Sequence, residues 1–241
     1  MKRGFLVAKF LTAKWHNLIM LNYEVKPLLL QEYVPNGTTL DFYDGKCYVS
    51  LVAFQFLDTK VFSFSIPYHI DFEEVNLRFY VKRKTKEGMK RGVVFIKEIV
   101  PKPLIAFAAK MVYGEPYESW DVTHKESENE LTYRWSDMNC KNCLHIEIGE
   151  NLGVPEEDSH GGFIIEHYWG YTKRSLTRTD EYRVEHPKWE LFDVNYTEID
   201  VDFSNTYGKQ FGFLSETEPY SVLFTKGSEI SVYKGEKLRI K

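Results

Sequence analysis

The chain has 241 residues, a net charge of −4 and 16% aromatic residues, a length that suits one large β-rich domain spanning 1–241 and lets roughly 70% of the extended-chain surface be buried without stapling by disulfide or metal. Acidic and basic residues are interspersed, which argues against a nucleic-acid groove. Three cysteines, an odd number, argue against a disulfide framework and fit a reducing compartment.

At the N-terminus, Lys9 interrupts the apolar stretch from Met1 to Leu11, and no small-residue cleavage site follows. No run approaches the ~20 apolar residues of a membrane span. The expectation is a cytoplasmic protein with no cofactor and no nucleic-acid or membrane partner. Assembly with further copies of itself stays open.

Pro27 to Val34 reads as a first helix, with Pro27 in its first turn, Pro35 stopping it and Leu28, Leu29 and Leu30 expected to be largely buried. Strands follow at Lys46–Phe56, Glu74–Lys82 and Gly92–Val100. The basic clusters Lys82-Arg83-Lys84 and Lys90-Arg91 flank Gly88 as a solvated hairpin tip. Lys102–Tyr113 reads as a second helix, started by Pro101 and Pro103 and ended at Gly114. It is apolar nearly all round apart from Lys110, and so is expected inside a curled sheet. Further strands are Ser119–Lys125, Glu130–Trp135, Leu144–Ile148, Phe163–Thr172, Glu181–His186, Tyr196–Asp202 and Tyr220–Tyr233. His160-Gly161-Gly162 is a tight turn or a flexible rim. Cys140 and Cys143 form a CxxC without a second pair at zinc spacing, and a turn entering the strand Leu144–Ile148 is preferred to metal or redox use. Two helices and about ten strands give a mostly β, α+β chain: a large curled antiparallel sheet or barrel enclosing a helix.

The strand around Glu74–Lys82 carries the most chemistry. Val75, Leu77, Phe79 and Val81 are apolar, while Glu74, Asn76, Arg78 and Tyr80 are polar, and period 2 puts the two sets on opposite faces. Such alternation describes an ordinary strand with one face in water. Yet asparagine is depleted in strands. A carboxylate, an amide, a planar donor fork and a phenol in one row could instead orient a small carboxylate or carbonyl ligand in a cavity. Glu166, among aromatics in the strand Phe163–Thr172, is either a structural carboxylate or a general acid–base that reaches Arg78.

The same residues carry a family resemblance. Trp15-His16-Asn17-Leu18, Phe42-Tyr43-Asp44-Gly45, Glu74-Val75-Asn76-Leu77-Arg78-Phe79-Tyr80-Val81, Glu166-His167-Tyr168-Trp169-Gly170-Tyr171 and His186-Pro187-Lys188-Trp189, in this order and spacing, resemble the YqjF-like family of uncharacterised proteins in the acetoacetate decarboxylase-like superfamily. The resemblance implies that superfamily's fold, with Glu74 at the site carboxylate. The superfamily's named enzyme carries an aromatic–Gly–aromatic–Pro–Lys–Lys motif, one lysine of which forms a Schiff base. The corresponding run here is Val112-Tyr113-Gly114-Glu115-Pro116-Tyr117-Glu118. Tyr117 and Glu118 stand where the lysines would be, and neither can form an imine. Two readings follow. One is a barrel binding a small acidic or carbonyl metabolite through Glu74, Asn76, Arg78, Tyr80, Tyr113, Tyr117 and Glu166. The other is an enzyme doing acid–base chemistry on a carbonyl compound in the same pocket, with Glu74 or Glu166 as the base. A side-chain-filled structural barrel is a third.

Overall fold

A computed structural model describes residues 9–112 and 114–239. Residues 1–8, most of the Met1 to Leu11 stretch, lie outside the described residues, as does Tyr113.

The strands in chain order are β1 (Lys9–Val25), β2 (Thr39–Leu40), β3 (Cys47–Val61), β4 (Phe64–Ser65), β5 (Phe72–Thr85), β6 (Gly88–Val100), β7 (Tyr117–Ser119), β8 (Asp121–Glu126), β9 (Glu130–Ser136), β10 (Lys141–Gly153), β11 (Trp169–Ser175), β12 (Arg178–Glu185), β13 (Leu191–Asp200), β14 (Ser221–Tyr233) and β15 (Glu236–Arg239). The helices are α1 (Pro103–Val112), α2 (His160–Ile165) and α3 (Phe203–Tyr207), with 3-10 turns at Pro27–Leu30 and Lys209–Glu216. One sheet joins the strands in the order β15-β12-β11-β6-β5-β3-β1-β14-β13-β10-β9-β8. It is mixed, because β6 pairs parallel with both β11 and β7. β12 also pairs with β14. The pairing of β12, β11, β6, β5, β3, β1 and β14 thus closes into a ring, from which β13, β10, β9 and β8 extend as a wing.

Strand alternation gives the ring two buried faces. On β5 the odd residues Val75, Leu77, Phe79 and Val81 are fully buried in a core shared with Leu131, Tyr133, Trp135, Leu144 and Ile146 of the wing and with Phe203 of α3. The even face belongs to a second core, in which Tyr80, Val52, Phe54 and Met20 pack with Phe163, Ile164 and Ile165 of α2. The sheet therefore does enclose a helix, but it is α2.

The helix expected inside, Lys102–Tyr113, is α1, and it lies mostly outside. Leu104, Phe107 and Met111 are 66–67% exposed, and among its described residues only Ala106 is buried. The cause is connectivity: β7 runs parallel to β6, so the chain between them must double back over the sheet, and that crossover leaves α1 on the surface.

The expected strand Phe163–Thr172 is also divided, into α2 and β11. Ser159 caps α2, accepting from the Gly162 amide at 3.1 Å. A Cβ at Gly162 would lie 2.2 Å from the Glu156 carbonyl. His160-Gly161-Gly162 is thus the first turn of a close-packed helix and not a loop. The first expected helix shrinks to the turn Pro27–Leu30, with Leu28 exposed and Leu30 buried. The Gly88 hairpin joins β5 and β6 as expected, but its base is not simply solvated: Arg83 and Lys90 both hold Glu181, at 3.0 and 2.6 Å. Cys140 ends a turn built on Asp137 and leads into β10, as read from the sequence.

Candidate functional site

The site lies on the even face of β5. Register places Leu223, Met20, Val52, Asn76, Glu98 and Tyr117 side by side across β14, β1, β3, β5, β6 and β7. A neighbouring row runs Ser221, Asn22, Ser50 and Arg78. Opposed residues of a sheet share a face, so polar groups from six strands converge on the interior. Glu74 is 3% exposed, Asn76 2% and Glu98 1%.

Their bonding is specific. The Asn76 Nδ2 donates to Glu74 Oε1 at 3.0 Å, and the Tyr117 hydroxyl donates to Glu74 Oε2 at 3.1 Å. Glu115, buried beside them, accepts from the Tyr182 hydroxyl at 2.5 Å. Tyr182 fits only because residue 170 is glycine: a Cβ there would lie 2.1 Å from the Tyr182 Cζ. Two buried acceptors, Asn76 Oδ1 and Glu98 Oε2, have no hydrogen-bond partner.

Three carboxyls without an adjacent ammonium raise one another's proton affinity. Burial pushes Glu74 up to about 7, against hydrogen bonds from Asn76 and Tyr117 and the charge of Arg78. Burial, aided by the charge of Glu74 and opposed by the Tyr182 bond, lifts Glu115 to about 7. Glu98 goes well above the carboxylate range through burial and the charges of Glu115 and Glu74.

Next along the strand, Arg78 is partly buried, with its Nη2 3.9 Å from the Met20 sulfur and its guanidinium 5.8 Å from the Tyr80 ring centroid. No carboxylate lies within ion-pair reach of Arg78 among the described residues, and its Nε is buried without a partner. Tyr80 closes the row. Its hydroxyl is 2.6 Å from Ser50 Oγ, which donates to Asn22 at 2.6 Å, which in turn bonds Ser221 at 2.9 Å. His167 packs on the Tyr80 ring, and burial lowers its pKa to about 4, so it is neutral.

Five of the seven expected site residues therefore meet on one interior face: Glu74, Asn76, Arg78, Tyr80 and Tyr117. Tyr113 lies outside the described residues. Glu166 is not with them. It ends α2 and accepts from the Tyr168 hydroxyl at 2.8 Å, and it does not meet Arg78. Glu98, Glu115 and Tyr182 were missed, although Glu98 left a signal as the one carboxylate, next to Lys97, in the largely apolar run Val93–Val100. The two clearest concavities, about 730 and 810 Å³, lie elsewhere, one lined by Pro27, Leu28 and Phe213 and the other by Lys14, Lys60 and His186.

Tyr117 and Glu118 take opposite faces of β7. Tyr117 opposes Glu98 and points into the cluster, whereas Glu118 opposes Ile99 on the other face. There Glu118 pairs with Lys97 at 2.9 Å, and Lys97 also lies over the Trp120 ring.

Comparison with known proteins bears on the family and the fold. A family model described as an uncharacterised conserved protein, DUF2071, matches residues 12–229. The chain belongs to the DUF2071 family. One relative is the uncharacterised protein YqjF of Bacillus subtilis strain 168, 26% identical over 212 residues that cover 85% of this chain and 83% of that one. Among solved structures, the DUF2071 chain is similar to acetoacetate decarboxylase of Legionella pneumophila, with a TM-score of 0.67 at 13% identity, covering 99% of this chain and 91% of that one. It is also similar to an acetoacetate decarboxylase-like enzyme from Sphingomonas wittichii, with a TM-score of 0.66 at 12% identity, covering 100% and 98%. The enduracididine biosynthesis enzyme MppR, complexed with pyruvate, gives a TM-score of 0.65 at 10% identity, covering 98% and 93%. At such identities the likeness is one of fold.

Proposed function

We propose that this DUF2071 protein binds a small carboxylate or carbonyl metabolite on the even face of β5 and does not decarboxylate it through a Schiff base. The observation that carries the reading is the hydrogen bond from Tyr117 to Glu74, at the position where the resemblance places a reactive amine. A phenol donates to a carboxylate or carbonyl without adding to it, so the exchange favours recognition over covalent chemistry. Arg78 supplies the anion-binding group, a planar fork with no protein carboxylate to hold. Solved neighbours named as decarboxylases, and one complexed with pyruvate, are consistent with a ligand of this class inside the fold.

A second reading rests on Glu74 itself. A carboxyl near 7 is poised for general acid–base catalysis at neutral pH, and the same site would then process a carbonyl compound by proton transfer. The Glu166 version of this reading loses its basis, because that residue lies with Tyr168 and not with Arg78.

The test is incubation with acetoacetate and borohydride, followed by intact-mass measurement. The expected result is an unmodified mass and no carbon dioxide release. A reduced adduct on any lysine would overturn the proposal. Exchange of α-protons of 2-oxo acids into deuterated water, lost in Glu74→Gln, would favour the second reading.

A further inference from the structure

Given a carboxylate ligand on Arg78, which is the reading above and on which this step rests, the chemistry of the ligand's other end is constrained by the two partnerless acceptors. Asn76 uses its Nδ2 on Glu74, so its Oδ1 faces the cluster without a donor. Glu98 stands directly opposite on β6, and its Oε2 also lacks a donor. Both side chains are at least 98% buried. An orphaned buried acceptor is costly, and the two lie side by side on one face. The two nearest phenols are engaged, Tyr117 on Glu74 and Tyr182 on Glu115. Among the described residues the two acceptors themselves lack a hydrogen-bond donor, and with three carboxyls around them the favoured donor is positively charged.

We infer that the ligand is a small amino carboxylate, its ammonium between Asn76 Oδ1 and Glu98 Oε2 and its carboxylate on Arg78. The spacing suits such a molecule. Asn76 and Arg78 are two apart on a strand, roughly 6.6 Å between Cα atoms, and the flexible arginine can shorten that span to the few ångströms between the ends of a small amino acid. An ammonium satisfies both orphaned acceptors and stabilises the carboxylate form of Glu98, which burial disfavours. The groups facing Glu98 are Glu74 and Arg78 from β5, Glu115 and Tyr117 from the segment leading into β7, and Tyr182 of β12, with the charge of Arg174 acting on Glu115. Burial and the charges of Glu115 and Glu74 favour the protonated form of Glu98, and an ammonium beside it favours the carboxylate, so binding shifts Glu98 toward the carboxylate with net release of protons to solvent.

The experiment is calorimetric titration of the full chain at pH 7.5 with the protein amino acids and β-alanine, each paired with its amine-free 2-oxo or simple carboxylic acid. The expected result is binding by one or more amino acids in preference to their amine-free partners. Titration in buffers of different ionisation enthalpy should show net release of protons on binding of the amino acid. Glu98→Gln, which keeps the shape of the protonated acid, should weaken the amino acid by roughly thirtyfold or more while leaving the amine-free partner unaffected. If amine-free acids bind as well or better, or if amino acids bind without proton release, the inference fails and the carboxylate reading stands. If neither class binds, both fail. The proton count needs no variant, so the test survives if Glu98→Gln does not fold.

Discussion

Two buried carboxylate sites lie at opposite ends of the β5–β6 hairpin, and they behave in opposite ways. Asp41 is 4% exposed, as buried as Glu74. Yet Lys82, Arg91 and His167 approach it at 3.1, 2.7 and 3.4 Å. Burial alone would raise its pKa, but the approach of His167, Arg91 and Lys82 outweighs it and holds the carboxyl below the usual range. Glu74, Glu98 and Glu115 have phenols and an amide where Asp41 has cations, and all three are pushed up. Both sites are closed to solvent, and what separates them most is compensation. The compensated carboxylate ties the hairpin to the segment after β2 and, through His167, to the segment that follows α2. An uncompensated cluster is unfavourable for folding and marks a candidate for function.

The comparison can be broken first at Asp41. Asp41→Ala leaves Arg91 and Lys82 without their anion and should cost about 3 kcal/mol, toward the low end for a buried pair because both cations are one-third exposed and can rehydrate. Urea unfolding measures it. A loss below about 1 kcal/mol would mean that the network is no more than a surface pair.

The carboxyl cluster predicts the reverse sign. For Glu74 and Glu115 the folded-state pKa is raised from 4.5 to about 7. Their contribution to stability is therefore fully present below about 4.5 and is lost as the pH rises through about 7. The melting temperature should fall between pH 6 and pH 8. Glu115→Gln, which keeps an acceptor for Tyr182, should flatten that dependence and stabilise the protein at pH 8 by about 2 kcal/mol. A melting temperature that is level across this range would show the three carboxyls to be compensated after all.

Gly170 sharpens the packing side of the same contrast. Gly170→Ala pushes on the Tyr182 ring that serves Glu115, and should cost about 1–3 kcal/mol as overpacking. A further rise in the Glu115 titration midpoint, read by carboxyl NMR, is expected because the phenol that lowers it is displaced. Leu104→Ser, on the outer side of α1, should change stability by less than about 0.5 kcal/mol, since Leu104 is exposed and leaves no cavity. A loss of several kcal/mol would restore α1 to the interior.

Local periodicity alone determined a good part of this protein. Alternation over β5 separated Glu74, Asn76, Arg78 and Tyr80 from Val75, Leu77, Phe79 and Val81, because a strand has no other way to dispose successive side chains. The run Gly114–Glu118 placed a phenol where an amine was expected, and that is a matter of covalent identity. Tertiary structure decided the rest. Which face is wet cannot be read from alternation, and here neither is, since the wing covers the odd face and α2 the even one. Which helix lies inside was misjudged, because apolarity all round α1 reports composition, whereas the parallel β6–β7 pairing sets its place. Glu98, Glu115 and Tyr182 come from three separate segments. Only the register of β5 on β6 and β6 on β7, with β12 brought alongside by ring closure, sets them next to Glu74. A charge's partner is a long-range property of the fold, and it separates Asp41 from Glu74.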